Sequence, residues 1–301
     1  MKQRTASFFR ELQDEICSTL ERVDGRGRFI EDTWTYAPDG GPGDGGGRSR
    51  VLTGGAVFEK GGVNVSSLQG ELSARLAERL EVADRKFFAC GISLVIHPES
   101  PLVPTVHLNL RYLKLFDAAG DPVRAWFGGG ADLTPYYPDD ETAVLFHRAM
   151  KAACDPYGAD AYARFKQACD EYFHLPHREE ARGIGGIFFD YLEDDPERTF
   201  EFVRSVGAAF NRAYPEIVEA RKAQPWTPAQ REWQLHRRGR YVEFNLIHDR
   251  GTLFGLETKG RTESILMSLP PLVRWTYAHE PKPGSPEAQL LELLRTPRDW
   301  L

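Results

Sequence analysis

Residues 91–140 decide the predicted fold, and they read GISLVIHPESPLVPTVHLNLRYLKLFDAAGDPVRAWFGGGADLTPYYPDD. From position 105 to 112 polar and apolar residues alternate, and His107, Asn109 and Arg111 fall on the polar side. Successive side chains of a β-strand point to opposite faces, so this period of two predicts a strand with one polar and one apolar face. An imidazole, an amide and a guanidinium in one row indicate the floor of a ligand site.

The residues before this strand repeat the alternation. Ser93 and His97 lie on one side of it, and apolar residues at 92, 94 and 96 lie on the other. A proline-rich turn over 98–104 separates the two strands, which predicts an antiparallel hairpin. In such a hairpin His97 and His107 share one polar surface.

The residues after the hairpin read WFGGGADLTPYYP from position 126. Three consecutive glycines let the backbone approach another group closely. Asp132 follows them at once, before a rigid exit rich in proline and tyrosine. This context predicts a carboxylate that is directed inward, toward the ligand site.

Bulk properties limit the classes of protein that this chain can represent. Its 301 residues are 41% hydrophobic and 12% aromatic, which is enough for a substantial core. The net charge of −6 argues against a nucleic-acid partner. No apolar run is long enough for a membrane span, and the first residues lack the apolar core of a secretory signal. The four cysteines show no metal or redox spacing, so we expect reduced thiols in a cytoplasmic protein.

Local patterns predict an ordered series of helices and strands. The first predicted helix ends near residue 24. The other predicted helices cover 71–84, 140–153, 162–173, 196–210, 215–223, 228–239 and 286–294. The other predicted strands cover 34–36, 51–58, 182–192 and a hairpin over 241–256, with a bent edge strand at 61–67. We therefore expect one α+β domain over residues 1–301, a large mainly antiparallel β-sheet flanked by α-helices on both sides.

A glycine- and proline-rich stretch over 38–50 reads PDGGPGDGGGRSR and predicts a loop. Gly41, Gly43 and Gly46 match the GxGxxG pattern of dinucleotide sites, but a strand-like run follows them where that site needs a helix. Either a flap over a ligand or a plain surface loop fits this composition.

The candidate chemistry centres on the polar strand. His107 is a candidate acid–base group, although a strand histidine bonded to a neighbour is an equal alternative. Arg111 and Arg261 are candidate anchors for carboxylates, because a guanidinium binds a planar anion through paired donors; surface ion pairs are the plain alternative. Four histidines on separate predicted elements, His97, His107, His147 and His177, have no HxH or HExxH spacing that would fix a metal site.

Six segments of the chain resemble the oxygen-dependent coproporphyrinogen III oxidases, and they occur in the order of that family. They are VFEKGGVNVS, HPESPLVPTVHLNLRY, WFGGGADLTPYY, HREEARGIGGIFFDYL, YVEFNLIHDRGTLFGL and GRTESILMSLPP. The resemblance implies oxidative decarboxylation of two propionates of coproporphyrinogen III to vinyl groups, giving protoporphyrinogen IX in haem biosynthesis. It further implies molecular oxygen as co-substrate, no organic cofactor, a homodimer, and a large antiparallel sheet flanked by helices.

The resemblance also implies roles for individual residues. Its proton donor corresponds to His107, and we assign Asp132 to the hydrogen bonds of the pyrrole N–H groups. Its substrate contacts correspond to Ser93, Asn109, Leu110, Arg111, Lys259, Gly260 and Arg261. Lys259 stands where the family has glycine. A divalent metal is assigned in the bacterial branch to His97, His107, His147 and His177.

Two other functions remain open at this point. A metal-dependent tetrapyrrole oxygenase would use the four histidines as ligands. A non-catalytic tetrapyrrole-binding protein would bind the substrate and release no carbon dioxide.

Overall fold

A computed structural model describes residues 1–36, 45–72, 77–78, 82, 86–257 and 260–301. Its main sheet has seven strands: β1 (Ile30–Thr35), β2 (Gly45–Thr53), β3 (Phe58–Glu71), β4 (Lys86–Pro98), β5 (Thr105–Phe116), β6 (Pro122–Thr134) and β9 (Gly186–Leu192). β7 (His174–Leu175) and β8 (Glu180–Ala181) form a separate two-stranded sheet. The helices with described bounds are α1 (Lys2–Asp24), α2 (Asp140–Cys154), α3 (Ala161–Tyr172), α4 (Pro196–Arg221), α5 (Pro228–Ile247), α6 (Arg250–Glu257), α7 (Thr262–Leu266) and α8 (Pro286–Arg295).

The main sheet is antiparallel throughout. β1 to β6 lie side by side in chain order, and β9 returns to pair with β6. The predicted hairpin is confirmed as β4 and β5, in which Ser93 lies opposite Asn109 and Val95 opposite His107. The predicted α+β fold, a mainly antiparallel sheet with flanking helices, is also confirmed.

One face of the sheet carries the hydrophobic core. The alternate residues Leu94, Val106, Leu108 and Leu133 are buried there. Helix α1 packs on β3 and β4, and α4 packs on β5 and β6. The apolar residues of α1 recur every three or four positions, so that one side of the helix enters the core. Burial of this stripe explains why the amphipathic pattern predicts α1 correctly.

The opposite face, which we call the polar face, carries the alternate polar side chains of β3 to β6. Residues 261–269, the crossing segment, run over part of it. Ser264 Oγ lies 2.7 Å from Ser49 Oγ on β2, and Lys60 Nζ donates to the carbonyl oxygen of Leu269 at 2.8 Å. Helical chain therefore flanks the sheet on both sides. In the described part of the chain, no helix is long and apolar enough to cross a membrane.

Two predicted elements at the first strands are wrong. Gly45 to Arg50 do not belong to a loop, because they form the first part of β2 and pair with both β1 and β3. Residues 61–67 do not form an edge, because β3 is paired on both sides along this stretch. Residues 38–44 of the predicted flap, and most of the helix predicted over 71–84, lie outside the described residues.

The predicted hairpin over 241–256 is also wrong, since these residues belong to α5 and α6. The predicted helix end at Gly239 is wrong for a related reason. Gly239 lies within α5 where residues 274–275 cross it, and a Cβ there would be 3.0 Å from the Arg274 carbonyl oxygen. The glycine thus permits a close approach and does not end the helix. Pro215 likewise lies inside α4, where a helix start was predicted.

Candidate active site

The register of β5 and β6 brings the two predicted catalytic residues together. His107 and Asp132 lie directly opposite each other on the polar face. His107 Nδ1 is 2.8 Å from Asp132 Oδ1. Because a carboxylate accepts and does not donate, Nδ1 carries the hydrogen, and in the neutral ring Nε2 is an acceptor. The sequence predicted both residues but not this contact.

Asp132 is held as a buried carboxylate. Its side chain is 2% exposed, and both of its oxygens accept hydrogen bonds from Arg182 Nη2 at 2.8 Å. Burial alone would raise the pKa of Asp132, but the charge of Arg182 and the hydrogen bond from His107 outweigh it and hold the pKa below its usual value. The carboxylate is therefore ionised throughout the neutral range.

Arg182 is held in a cage of aromatic rings. Its guanidinium carbon lies 4.0 Å from the centroid of Phe173, 4.7 Å from Tyr241 and 4.9 Å from Phe244. Arg182 Nη1 also donates to Asn245 Oδ1 at 3.1 Å. Aromatic faces attract a cation most strongly when water is excluded, so the cage offsets part of the cost of burying the charge. The sequence did not predict this role, although an arginine directly before GIGGIFF was a signal.

His107 is the part of the pair that reaches the surface of the polar face. Its side chain is 19% exposed, compared with 2% for Asp132. The edge of the ring packs against Phe173, with centroids 5.9 Å apart, and Phe173 also contacts Arg182. One aromatic ring therefore fixes both neighbours of Asp132. In this arrangement a ligand on the polar face meets His107 first, with Asp132 behind it.

Arg111 lies on the same strand as His107, four residues further along β5 and on the same face. Its Nη1 donates to Asn109 Oδ1 at 3.0 Å, and its Nη2 pairs with Asp190 Oδ2 at 2.7 Å. Gly128 lies beneath this ion pair, and a Cβ at that position would be 2.4 Å from Asp190 Oδ1. The glycine leaves room for the guanidinium to lie flat over β6. Asp190 is a second residue that the sequence did not single out.

Arg261 begins the crossing segment on the other side of the polar face. Its Nη2 donates to Asp32 Oδ2 on β1 at 2.5 Å, and its Nη1 donates to Ser264 Oγ at 3.2 Å. Gly260, beside it, donates its backbone N–H to the carbonyl oxygen of Gly255 at 2.8 Å. Lys259 lies outside the described residues. Arg111 and Arg261 therefore both have acidic partners that are partly exposed.

Ser93 and Leu110 occupy opposite faces of the sheet. Ser93 lies on the polar face, across from Asn109. The side chain of Leu110 is fully buried in the core on the other face. A substrate on the polar face can therefore touch Ser93 directly, whereas the side chain of Leu110 cannot take part.

The four predicted metal ligands have separate surroundings. His97 Nδ1 lies 3.2 Å from Thr105 Oγ1, and its Nε2 lies 2.8 Å from the Ser268 carbonyl oxygen. His147 Nδ1 lies 2.9 Å from the Tyr162 hydroxyl, and its Nε2 lies 3.1 Å from a backbone carbonyl. Burial lowers the pKa of His147 to about 4 and holds that of His97 well below its usual value, so both rings are neutral.

His177 lies in the turn between β7 and β8. Its Nε2 is 2.5 Å from Glu243 Oε1, and its ring stacks on His248. Burial would raise the pKa of Glu243, but hydrogen bonds from Arg178 and His177 lower it to about 2. Among the described residues, no group of three His, Cys, Asp or Glu side chains could hold a metal ion. The four histidines therefore do not form one group of ligands in the described part of the chain. The metal that the resemblance assigns to them remains an untested prediction.

A comparison with protein families now assigns the chain. The model of the family described as coproporphyrinogen III oxidase matches residues 4–300. The chain belongs to the coproporphyrinogen III oxidase family. Members of this family are oxidoreductases of haem biosynthesis that decarboxylate coproporphyrinogen. The substrate is therefore a tetrapyrrole with carboxylate side chains.

For a coproporphyrinogen III oxidase, charge locates the site better than cavity volume does. A surface cleft of about 390 Å³ is lined by Pro101, Tyr136, Arg221 and neighbouring residues, and a second of about 360 Å³ lies beside α1 and α4. Neither is lined by His107, Asp132 or Arg111. The polar face is the candidate site because the buried carboxylate of Asp132, the imidazole of His107 and the guanidinium of Arg111 lie on it together.

Proposed function

We propose that this chain catalyses the oxygen-dependent oxidative decarboxylation of two propionates of coproporphyrinogen III, giving protoporphyrinogen IX. The observation that carries the proposal is the alignment of His107, Asp132 and Arg182 on a face that also holds Arg111. At each propionate, the bond to the carboxylate carbon breaks and carbon dioxide leaves. The carbon next to the ring loses a hydrogen, and oxygen takes up two electrons and two protons as hydrogen peroxide. No organic cofactor is needed for this balance.

The arginines bind and orient the substrate. Arg111 lies four residues from His107 on the same face of β5, about 13 Å along the strand. A propionate on its guanidinium is therefore held on the face that carries the imidazole, with the body of the macrocycle between them. Arg261 provides a second guanidinium across the face for another propionate. Fixing two carboxylates of one macrocycle limits which side chain reaches the reacting position.

The histidine and its carboxylate handle the proton. Because Nδ1 carries the hydrogen that Asp132 accepts, Nε2 is the acceptor of the neutral ring, and it takes the proton of a pyrrole N–H as the ring is oxidised. The imidazolium so formed is then the proton donor that the resemblance assigns to this position. Asp132 stabilises the imidazolium that forms, since it is already ionised and hydrogen-bonded to Nδ1. The electron-rich reduced tetrapyrrole then reacts with oxygen itself. In this scheme Asp132 acts through His107, and not directly on the pyrrole N–H as the sequence analysis assumed.

The proposal also covers the setting of the reaction. We propose that the enzyme is a homodimer in the cytoplasm, as its resemblance implies, and that oxygen is the electron acceptor. A divalent metal on His97, His107, His147 and His177 has no part in the steps above.

An aerobic and anaerobic assay after exhaustive chelation tests the proposal. We expect coproporphyrinogen III to give carbon dioxide and protoporphyrinogen in air, little product without oxygen, and no loss after chelation. Loss on chelation with recovery by one metal would favour the metal-dependent oxygenase. Binding without carbon dioxide release would favour the carrier. Asp132→Ala should abolish turnover in a folded protein, and near-normal rates would remove Asp132 from the mechanism.

A further inference from the structure

Asn64 lies in a polar row that crosses five strands of the sheet. Cross-strand pairing aligns Asp32, Ser49, Asn64, Ser93 and Asn109 from β1 to β5. Neighbouring strands lie about 4.8 Å apart, so Asn64 is one step from Ser93 and two from Asn109. All three side chains are partly exposed on the polar face. Asn64 thus adjoins two residues that the family resemblance assigns to the substrate.

A chain of hydrogen bonds fixes which way the Asn64 amide points. Arg261 Nη1 and Trp34 Nε1 can only donate, and they donate to Ser264 Oγ at 3.2 Å and to Ser49 Oγ at 3.1 Å. Ser264 then donates its hydrogen to Ser49 at 2.7 Å, which leaves the Ser49 hydrogen for Asn64 Oδ1 at 2.9 Å. This is the assignment in which both hydroxyl hydrogens have a partner.

The consequence is that Asn64 presents its two Nδ2 hydrogens to the polar face. Among the described residues, Nδ2 has no hydrogen-bond partner. Met267 of the crossing segment packs over Gly62 on the same strand, so the amide lies beside a wall of the site. A donor in this position suits an anionic oxygen, and the substrate of this family carries its anions at the rim of the macrocycle.

We propose that Asn64 is a further substrate-contacting residue that donates an amide hydrogen to a propionate of the tetrapyrrole. Its orientation is set by the chain from Arg261 through Ser264 and Ser49. This proposal rests on the proposed function for its ligand. The hydrogen-bond chain also couples the substrate contacts of Arg261 and Asn64. A propionate bound to Arg261 holds that side chain in place, and this stabilises the bonds through Ser264 and Ser49 that orient Asn64.

The test compares Asn64→Asp with Asn64→Ala and Ser49→Ala. Coproporphyrinogen III binding is measured without oxygen, and KM and kcat are measured in air. Asn64→Asp replaces the donor by a like-charged acceptor of the same shape, so we expect Kd and KM to rise about 10- to 100-fold. Asn64→Ala should raise both by a smaller factor. Ser49→Ala frees the amide to turn and should raise KM while kcat changes less.

Asn211→Asp is the matched control, because it makes the same change on α4, outside the polar row. It should leave Kd and KM unchanged. Values of Kd and KM within twofold of wild type for both Asn64 variants would overturn the proposal, as would an equal effect in the control. The proposed function would instead be contradicted if wild-type protein bound coproporphyrinogen III but released no carbon dioxide in air. In that case the anaerobic comparison of Kd values would still decide the role of Asn64.

Discussion

Replacing Arg182 by Gln is the perturbation that most directly tests the buried site. Arg182 and Asp132 are each 2% exposed at the side chain, and two hydrogen bonds of 2.8 Å join them. Removing one partner of such a pair leaves an uncompensated buried charge, which costs about 3–5 kcal/mol. The variant also loses the three ring contacts of the guanidinium. We therefore expect urea unfolding at pH 7 to show a loss of this size.

The loss should be relieved when the carboxylate is neutralised as well. In the double variant Arg182→Gln with Asp132→Asn, no buried charge remains, so the double-mutant cycle should show a coupling of about 1–3 kcal/mol. Arg237→Gln is the control, since Arg237 forms a comparable buried pair with Glu180 at 3.0 Å. It should destabilise the protein without coupling to Asp132. Additive effects of Arg182→Gln and Asp132→Asn within about 0.5 kcal/mol would refute the reasoning.

The same pair makes a prediction about pH. The lowered pKa of Asp132 contributes stability above about pH 4, which is lost as the pH falls through the folded-state pKa. Without Arg182 the burial of the carboxyl persists, so its pKa rises. The Arg182→Gln variant should therefore recover part of its lost stability on acidification, because protonation of Asp132 neutralises the buried charge, whereas wild type loses stability as the pH falls. An unchanged acid unfolding curve would show that Arg182 does not control the ionisation of Asp132.

Two further perturbations concern Gly128 and His147. Gly128→Ala places a Cβ 2.4 Å from Asp190 Oδ1 and 2.8 Å from Arg111 Nη2, so the ion pair between these residues must move. We therefore expect kcat/KM for coproporphyrinogen III to fall by about 100-fold in steady-state assays. An unchanged kcat/KM would show that the position of Arg111 is not critical. The pKa of buried His147 is about 4, whereas in the unfolded chain this histidine takes up its proton near pH 6.5. The free energy of unfolding should therefore fall as the pH drops from 6.5 to 4, by about 3 kcal/mol in total. His147→Gln should remove that dependence in urea titrations at pH 7 and 5, and an unaltered difference would contradict it.

The central hairpin could be predicted from sequence because its two faces have different environments. The apolar side of β5 is fully buried against the helices, and the polar side is partly exposed. This difference imposes the period of two that the sequence shows. The same alternation predicts that His107, Asn109 and Arg111 lie on one face. It could not give the register with β6, so the contact between His107 and Asp132 emerged only from the structure.

The end of α5 could not be predicted in this way, because its alternation is accidental. The strand prediction treated Leu246 as a buried residue, whereas it is 44% exposed. The buried residues Trp233, Arg237, Tyr241 and Phe244 are spaced by four, four and three positions, which is the period of a helix. Two arginines and a glycine among the buried residues masked this period. A helix whose inner side forms buried ion pairs has no continuous apolar stripe for pattern analysis to find.

The exposure of the acidic partners separates the arginines of the site by function. Arg111 pairs with Asp190, Arg261 with Asp32 and Arg182 with Asp132, so each guanidinium is oriented before a ligand binds. The side chains of Asp190 and Asp32 are 21% and 51% exposed, and water or a propionate can replace them at little cost. Asp132 is 2% exposed, and displacing it would leave a buried charge without a partner. If Arg111 and Arg261 bind the propionates as proposed, carboxylates of the substrate exchange with the outer two partners, while the pair beneath His107 keeps its ionisation during binding and release.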